Sequence, residues 1–237
     1  MKKIITLFFM IFVTTFTFNI TPTFFEKRLD AEGGYQEYIL KNNSDSTVRY
    51  KVSVLPGLGK LPTMDQWVEY SPKVITVKPK SESVLKVYIK APKGAPEGEY
   101  SALLNMKTIN LPKIPKDDGQ NVAATTRLGI DVSLEVSGYV GDFPSKLEIS
   151  NLKMIENKEK KNVLTFNVEN KTQKRGVYYT IDILGKNGTY TSLEKGRIEP
   201  SGNDEIQITL NKAKKSDIIG VSLRDPSSNV EITKKEL

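Results

Sequence analysis

Hydrophobic and polar residues alternate along most of the chain, with the two-residue period of β-strands. Runs rich in Val, Ile, Thr and Tyr are separated by clusters of Gly, Pro, Asn and Asp, which favour turns. No long window follows the 3.6-residue period of an amphipathic helix. The pattern predicts an all-β protein, with strands over residues 35–41, 48–55, 73–77, 83–90, 99–109, 122–140, 145–152, 162–169, 177–184, 196–198, 205–210, 218–224 and 230–233.

Part of the pattern occurs twice. The polar turn at residues 41–44 before one strand is matched by residues 169–172 before another, and the Pro-bounded turns at 77–79 and 198–200 each lead into a strand. Short strands at this spacing, without intervening helices, are typical of antiparallel sandwiches of the immunoglobulin type. We therefore predict two immunoglobulin-like antiparallel β-sandwich domains, at residues 19–141 and 142–237. The predicted boundary lies where Gly138, Gly141 and Pro144 interrupt the alternation.

The first residues do not fit the strand pattern. Met1-Lys2-Lys3 is a short basic start, and every residue from 4 to 18 is apolar or Thr. This combination is typical of a secretory signal peptide, because the apolar stretch is short for a membrane span. We predict a signal peptide at residues 1–18 and export across the cytoplasmic membrane to the periplasm or cell envelope. The cleavage site is not obvious, so an uncleaved anchor is the alternative.

Composition excludes several classes of enzyme. The chain has no Cys and no His, which removes disulfides, thiol nucleophiles, Ser-His-Asp triads and imidazole metal sites. Lys and Arg number 35 against 28 Asp and Glu, a formal net charge of +7, but the cations are scattered. Scattered cations on an exported chain do not indicate nucleic-acid binding. We predict a non-enzymatic protein without cofactor or metal, and we expect no membrane span beyond the signal segment.

The longest uninterrupted alternation covers residues 122–136. Its even positions are apolar or small, and they include Leu128, Ile130, Val132 and Leu134. A strand of fifteen residues is two to three times as long as the usual five or six, so part of it should extend beyond its own core. A long apolar edge normally invites aggregation, and its presence in an exported protein suggests pairing with a partner chain. The alternative is an ordinary long strand that bends at a bulge at Gly129 and is buried at both ends.

A long loop precedes that strand, and with it a family resemblance becomes visible. Residues 107–121 form a Pro- and Lys-bearing segment of the kind that is usually functional or disordered. The order of residues 42–44, 75–81, 84–87 and 96–101 followed by the alternating strand resembles that of PapD-like periplasmic pilus-assembly chaperones. The resemblance covers residues 20–141, and residues 145–237 match in strand number alone.

The resemblance implies a function and a set of site residues. In that family an edge strand of the first domain lends alternating apolar residues to an incomplete fibre subunit, and a basic crevice holds the subunit's C-terminal carboxylate. The residues that would contact the partner strand are Leu128, Ile130, Val132 and Leu134. The family's anchoring Arg and Lys have no direct counterpart here. Arg28 and Arg127 are the candidate substitutes, because Arg binds carboxylates bidentately.

The sequence thus predicts an exported chaperone that binds the extended polypeptide of a surface-fibre subunit by β-strand donation. An envelope-attached structural or adhesive protein with the same fold is the main alternative. A carbohydrate hydrolase based on two carboxylates is a third, but no sequence feature places such a pair.

Overall fold

Strands dominate the computed structural model, which describes residues 18–109, 129–210 and 215–237. Two short 3-10 helices, Asp65–Trp67 and Lys215–Asp217, are the helical elements of these ranges. The first half contains nine strands: β1 (Phe18–Thr21), β2 (Glu26–Arg28), β3 (Gly34–Asn42), β4 (Val48–Pro56), β5 (Val68–Ser71), β6 (Val74–Val77), β7 (Ser81–Ile89), β8 (Gly98–Thr108) and β9 (Asp131–Val140). The second half contains seven: β10 (Leu147–Glu156), β11 (Asn162–Asn170), β12 (Val177–Gly185), β13 (Gly188–Ile198), β14 (Asn203–Leu210), β15 (Ile218–Arg224) and β16 (Glu231–Glu236).

Each half is a pair of sheets around its own hydrophobic core. The first half has a four-stranded sheet of order β1-β3-β7-β5 and a five-stranded sheet of order β2-β9-β8-β4-β6. The second half has sheets of order β10-β11-β14 and β13-β12-β15-β16. Alternate residues of these strands enter the cores, as the two-residue period requires. The prediction of an all-β fold of antiparallel sandwiches is confirmed, while the domain boundary at residue 141 stays a prediction.

The two sandwiches share one strand order. Strands β1, β3 and β7 of the first correspond to β10, β11 and β14 of the second, and β9, β8, β4 and β6 correspond to β16, β15, β12 and β13. Strands β2 and β5 have no counterpart among the described strands of the second half.

A buried Asn explains why the sequence pattern occurs twice. Asn42 and Asn170 end equivalent strands, and their exposed fractions are 4% and 1%. Each side-chain oxygen accepts the backbone N–H of the residue two positions on, Ser44 and Thr172. The side-chain nitrogens donate to backbone carbonyls of two turns, namely those of Ser46, Val77 and Lys78 for Asn42, and those of Arg175 and Glu199 for Asn170. Each Asn thus joins two turns and donates to a buried carbonyl, Val77 O or Arg175 O.

The N-terminal segment changes sheets. Strand β1 pairs with β3, whereas β2 pairs with β9 in the opposite sheet, and Pro22 lies between them. Pro has no N–H to donate to a ladder, so it suits the point where the chain leaves one sheet for the other. Strand β2 is parallel to β9, whereas the other pairings among the described strands are antiparallel.

Some predicted elements differ from the observed ones. The strand predicted over 122–140 is described from Asp131, and Gly129 and Ile130 lie outside it. Residues 122–128 lie outside the described part of the chain. Phe18 belongs to β1, although the predicted signal peptide includes it. Within the described ranges, no helix is long and apolar enough to cross a bilayer.

Candidate functional site

Strand β9 is paired along its whole length on one side and for only three residues on the other. All ten of its residues pair with β8 in one unshifted antiparallel register. On the opposite side β2 pairs with Ser137, Gly138 and Tyr139. No described strand pairs with residues 131–136 on that side. We call this side of residues 131–136 the open edge.

The direction of the backbone groups follows from the hydrogen bonds at each end of the strand. The Ser137 N–H donates to Phe25 O at 3.0 Å, and Tyr139 O accepts the Leu29 N–H at 2.8 Å, so these odd residues face β2. Ile130 O accepts the Thr108 N–H at 2.8 Å and so faces β8. Directions alternate in an unshifted antiparallel strand. The N–H and C=O groups of Asp131, Ser133 and Glu135 therefore point out of the open edge.

The even residues of β9 form an apolar row on the core side of the sheet. Val136 is 1% exposed and lies within the first core, and Leu134 is half-buried against it. Val132 is half-buried opposite Met106 of β8. Ile130, just before the strand, is also half-buried. The apolar row thus runs from the fully buried Val136 to three half-buried residues toward the start of the strand.

The odd residues of β9 cover the outer face with polar groups. Asp131, Ser133 and Glu135 are exposed. The Asn105 side-chain amide donates to Asp131 Oδ1 at 2.7 Å and to Ser133 Oγ at 3.1 Å. Hydrogen bonds from Asn105 and Lys107 lower the pKa of Asp131, so this carboxylate is ionised at neutral pH. One face of the open edge is apolar and the other is hydrophilic.

The structure brings together three of the six site residues that the sequence predicts. Ile130, Val132 and Leu134 share one row, and Leu128 and Arg127 lie outside the described residues. Arg28 lies in β2, the short strand that pairs with β9 just beyond the open edge. Its guanidinium is already paired with Asp30 Oδ1 at 2.8 Å and with Asp142 Oδ1 at 3.1 Å.

Sequence reasoning missed a group of buried charges where the two sandwiches meet. Glu26 and Glu99 come from the first sandwich, and Arg175 and Arg197 come from the second. The four side chains are between 3% and 11% exposed. We call them the acid–arginine cluster. Their separation along the chain gives no local pattern, and a Glu at a strand end is an ordinary surface residue in most sequences.

Both acids of the cluster bind the start of β12 through backbone and side-chain groups. Glu26 Oε2 accepts the Tyr178 N–H at 3.1 Å and lies 3.5 Å from Arg175 Nη2. Glu99 Oε2 accepts the Gly176 N–H at 2.9 Å, and its Oε1 pairs with Arg197 Nη2. A Cβ at Gly176 would overlap the Arg197 guanidinium, so a larger residue there would displace that side chain from its contact with Glu99.

Arg175 contacts several elements at once. Its guanidinium lies over the Tyr139 ring of β9, 4.0 Å from the ring centroid. It donates to Phe143 O at 3.0 Å and to Ser145 Oγ at 3.1 Å, in the connection between the sandwiches. Arg175 therefore links β2, β9, the connection and the second sandwich.

Burial changes the acidity of the cluster's carboxyl groups. Removal from water raises the pKa of Glu26 from 4.5 to about 7, although the positive charge of Arg175 opposes the shift. Burial also raises the pKa of Glu99, and the charge of Arg197 opposes it. Glu26 Oε1 is buried without a hydrogen-bond partner among the described residues. At neutral pH the Glu26 carboxyl is therefore close to the midpoint of its titration.

Comparisons with known proteins find similarity among solved structures. No protein-family model and no curated protein matches the chain. The E. coli chaperone DraB is 13% identical, with a TM-score of 0.48 over 94% of this chain and 96% of that one. The Pseudomonas aeruginosa CupB2 chaperone is 14% identical, with a TM-score of 0.42 over 90% of this chain and 94% of that one.

A third similar structure is the Salmonella enterica SafA pilin in complex with the SafB chaperone. The match is 13% identical, with a TM-score of 0.45 over 94% of this chain and 96% of that one. Solved chaperone structures are thus similar to the chain over most of its length. Because these TM-scores are below 0.5, the fold assignment stands on the sheet order and the two cores described above.

Proposed function

We propose that the chain is an exported, non-enzymatic chaperone that binds an incomplete fibre subunit by pairing with the open edge of β9. The partner is an extended polypeptide segment that adds a strand beside residues 131–136. It makes backbone hydrogen bonds with β9, and its subunit core receives the apolar row. The observation that carries the proposal is that residues 131–136 combine outward backbone groups, which no described strand pairs with, and the half-buried apolar side chains of Val132 and Leu134.

The backbone half of the site supplies affinity for an extended chain. Asp131, Ser133 and Glu135 present both an N–H and a C=O to the open edge. Each hydrogen bond made there contributes a net free energy of about 0.5–1.5 kcal/mol. Backbone pairing of this kind recognises any extended segment, so it does not select a sequence.

The apolar row supplies the selection. Leu134 and Val132 are half-buried and continue the side-chain row of the fully buried Val136. A subunit whose own core lacks a strand offers a groove in which such side chains can be buried. Complete burial of an exposed Val or Leu side chain contributes about 1.5–3 kcal/mol. Because these side chains are only half-buried in the free protein, part of that free energy becomes available when a partner covers them.

The change of sheets by the N-terminal segment explains why the edge is open. If residues 20–25 had continued the parallel pairing of β2 with β9, they would lie beside residues 131–136. Strand β1, which includes residues 20 and 21, pairs instead with β3 in the other sheet. Among the described strands, one half of β9 is therefore covered by β2, and the half with the more accessible apolar side chains has no second neighbour.

Ser133→Pro is the sharpest test, because the Ser133 N–H points out of the open edge and not toward β8. Proline removes that N–H and places its ring where a partner strand would lie, while the β8–β9 hydrogen bonds remain. We expect chemical crosslinking and pull-down from the native envelope to recover a fibre subunit with the wild-type chain. Recovery with Ser133→Pro should fall by at least about tenfold, the equivalent of one to two lost hydrogen bonds.

Two controls accompany this variant. Ser133→Ala keeps the N–H and should retain the partner. Ile130→Lys and Val132→Lys keep the backbone groups but place charges in the apolar row, and they should abolish co-purification while the second sandwich stays folded. Undiminished complexes in Ser133→Pro and in both Lys variants would contradict strand donation. Stable attachment of the protein to the envelope without any subunit complex would favour the structural or adhesive alternative.

A further inference from the structure

We propose that Glu26 is a positioning residue for the open edge: its buried carboxyl holds β2 against β9 when neutral and weakens that contact when ionised. The number of β9 residues that are available for pairing then depends on whether this carboxyl carries a proton. The inference concerns the same edge as the proposed function and rests on that function only for its consequence in binding.

Strand β2 is the element that limits the open edge. Its three residues pair with Ser137, Gly138 and Tyr139, directly beyond residues 131–136. If β2 moves away, the outward groups of Ser137 and Tyr139 join those of the open edge, which then extends to residue 139. The closed state is the major one, because Phe25 and Leu29 on either side of β2 are fully buried.

Glu26 connects β2 to the second sandwich. Its Oε2 accepts the Tyr178 N–H of β12 and lies 3.5 Å from Arg175 Nη2. Arg175 also covers the Tyr139 ring of β9. Whatever changes the protonation state of the Glu26 carboxyl therefore acts where β2, β9 and the second sandwich are in contact.

Burial disfavours an ionised carboxyl at Glu26, and its partners offset this effect only in part. The side chain is 7% exposed, and Oε1 is buried without a hydrogen-bond partner in the described chain. The Arg175 guanidinium also donates to Phe143 O and Ser145 Oγ at 3.0–3.1 Å, closer than its 3.5 Å contact with Glu26. An ionised carboxylate with an oxygen lacking any donor is costly to bury, and movement of β2 into solvent relieves that cost.

Several other charged or titratable groups face Glu26. Those of the first sandwich are Glu99 on β8 and Tyr139 on β9, and those of the second are Arg175, Arg197 and Tyr178. The two arginines favour the ionised form of Glu26, and Glu99 disfavours it. Burial outweighs the arginines and raises the pKa of Glu26 from 4.5 to about 7.

The sign of the pH effect follows from linkage. With β2 docked, Glu26 has a pKa of about 7, and with β2 in solvent the ordinary value of 4.5 applies. The docked state therefore binds the proton more tightly, so acid favours docking and rising pH favours release. Between these two pKa values the equilibrium for release increases by up to about tenfold per pH unit, and above pH 7 it levels off.

Amide hydrogen exchange measures this equilibrium without any partner. The Ser137 N–H donates to Phe25 O and so is protected only while β2 is docked. Amides of the even residues of β9 face β8 and report larger openings. From pH 5 to pH 7.5 we expect the protection factor of Ser137, corrected for intrinsic exchange, to fall at least about tenfold. That of Leu134 should change much less.

Two variants separate the role of Glu26 from ordinary packing. Glu26→Gln keeps an acceptor for the Tyr178 N–H but cannot ionise, so Ser137 should stay protected with no pH dependence between pH 5 and 7.5. Glu99→Gln is the matched control: Glu99 binds Gly176 and Arg197 and not β2. It should keep the pH dependence, with a midpoint shifted slightly to lower pH because one repelling charge is removed.

A protection factor that is constant with pH in the wild type, or that rises with pH, would overturn the inference. The second result would mean that attraction to Arg175 outweighs burial. Persistence of the pH dependence in Glu26→Gln would assign it to another group and would also overturn the inference. None of these outcomes involves a partner, so the proposed function stands or falls separately on Ser133→Pro.

Discussion

Strands β9 and β16 occupy the same place in the two sandwiches and have opposite edge chemistry. Each pairs with the strand before it, β8 or β15. In β9, Val132, Leu134 and Val136 lie opposite Met106, Leu104 and Ala102 of β8, which belong to the first core. In β16 the positions opposite the fully buried Leu223 and Val221 are Thr233 and Lys235.

Strand β16 has the features that prevent edge-to-edge association. Lys235 is an exposed charge on the core side of the strand, and the register with β15 shifts between Leu223 and Arg224. Inward-pointing charges and bulges are recognised ways to protect a sheet edge. Strand β9 has neither feature in its ten-residue register with β8. A sandwich of this strand order thus does not require an apolar row at the edge, so the row of β9 needs another explanation, for which we propose pairing with a partner.

The largest expected effect is on stability, and it shows where along the apolar row of β9 the core of the first sandwich ends. Val136→Lys places an ammonium group in a fully buried position and should reduce the free energy of unfolding by at least about 3 kcal/mol. Val132→Lys should reduce it by about 1 kcal/mol or less, because a Lys there reaches solvent.

Urea denaturation followed by Trp67 fluorescence measures both variants, since this single Trp packs against the first core. Equal losses in Val132→Lys and Val136→Lys would show that residue 132 is an ordinary core position. The apolar row would then have no accessible half to offer a partner.

Substitution of either buried Asn should have the next largest effect on the free energy of unfolding. Asn42→Ala and Asn170→Ala each leave backbone carbonyls without a donor and should each cost about 2–4 kcal/mol. Trp67 fluorescence should report the loss in Asn42→Ala, and circular dichroism should report it in both variants. A negligible cost in either variant would mean that the repeated Asn is not what stabilises that sandwich.

The sequence made most strands predictable because alternation is a local property. Burial in β3 and β7 follows the period that the residues show in the chain. Strands β1, β2 and β5, of three or four residues each, were missed, and β13 (Gly188–Ile198) was predicted only over its last three residues. The repeated Asn was visible because its role depends on adjacent turns.

The candidate site was predictable only in part. The apolar row was visible in the sequence because its members alternate within one segment. The open edge was not visible, because it depends on the pairing of β1 with β3. Both of these strands are about a hundred residues from β9 in the chain. The acid–arginine cluster also depends on contacts between distant residues, since Glu26 and Tyr178 are 152 residues apart in sequence. Such contacts are decided by tertiary packing and leave no local pattern.

Substitution of Arg28 tests with a smaller expected effect whether a partner's terminal carboxylate binds beside the open edge. Its ion pairs with Asp30 and Asp142 are exposed to solvent, so Arg28→Ala should change stability little. If Arg28 anchors a partner's terminal carboxylate, it must leave these acids, and Arg28→Ala should then weaken binding of the partner's C-terminal peptide by about tenfold. Isothermal titration with free and amidated peptides measures this. An equal loss for both peptides would contradict an anchoring role, and Arg127→Ala tests the other candidate in the same way.

The smallest effect should come from giving β16 the chemistry of β9. Lys235→Val removes the core-facing charge, and Thr233→Leu adds an apolar side chain opposite Leu223. The doubly substituted strand should show weak, concentration-dependent self-association in sedimentation velocity experiments, since an apolar edge can pair with another copy. Lys234, Glu236 and the register shift remain, so association should be weak. A Lys235→Arg variant keeps the charge and should stay monomeric. Strong association of the wild-type chain through β16 would remove the contrast between the two edges, because both would then be pairing surfaces.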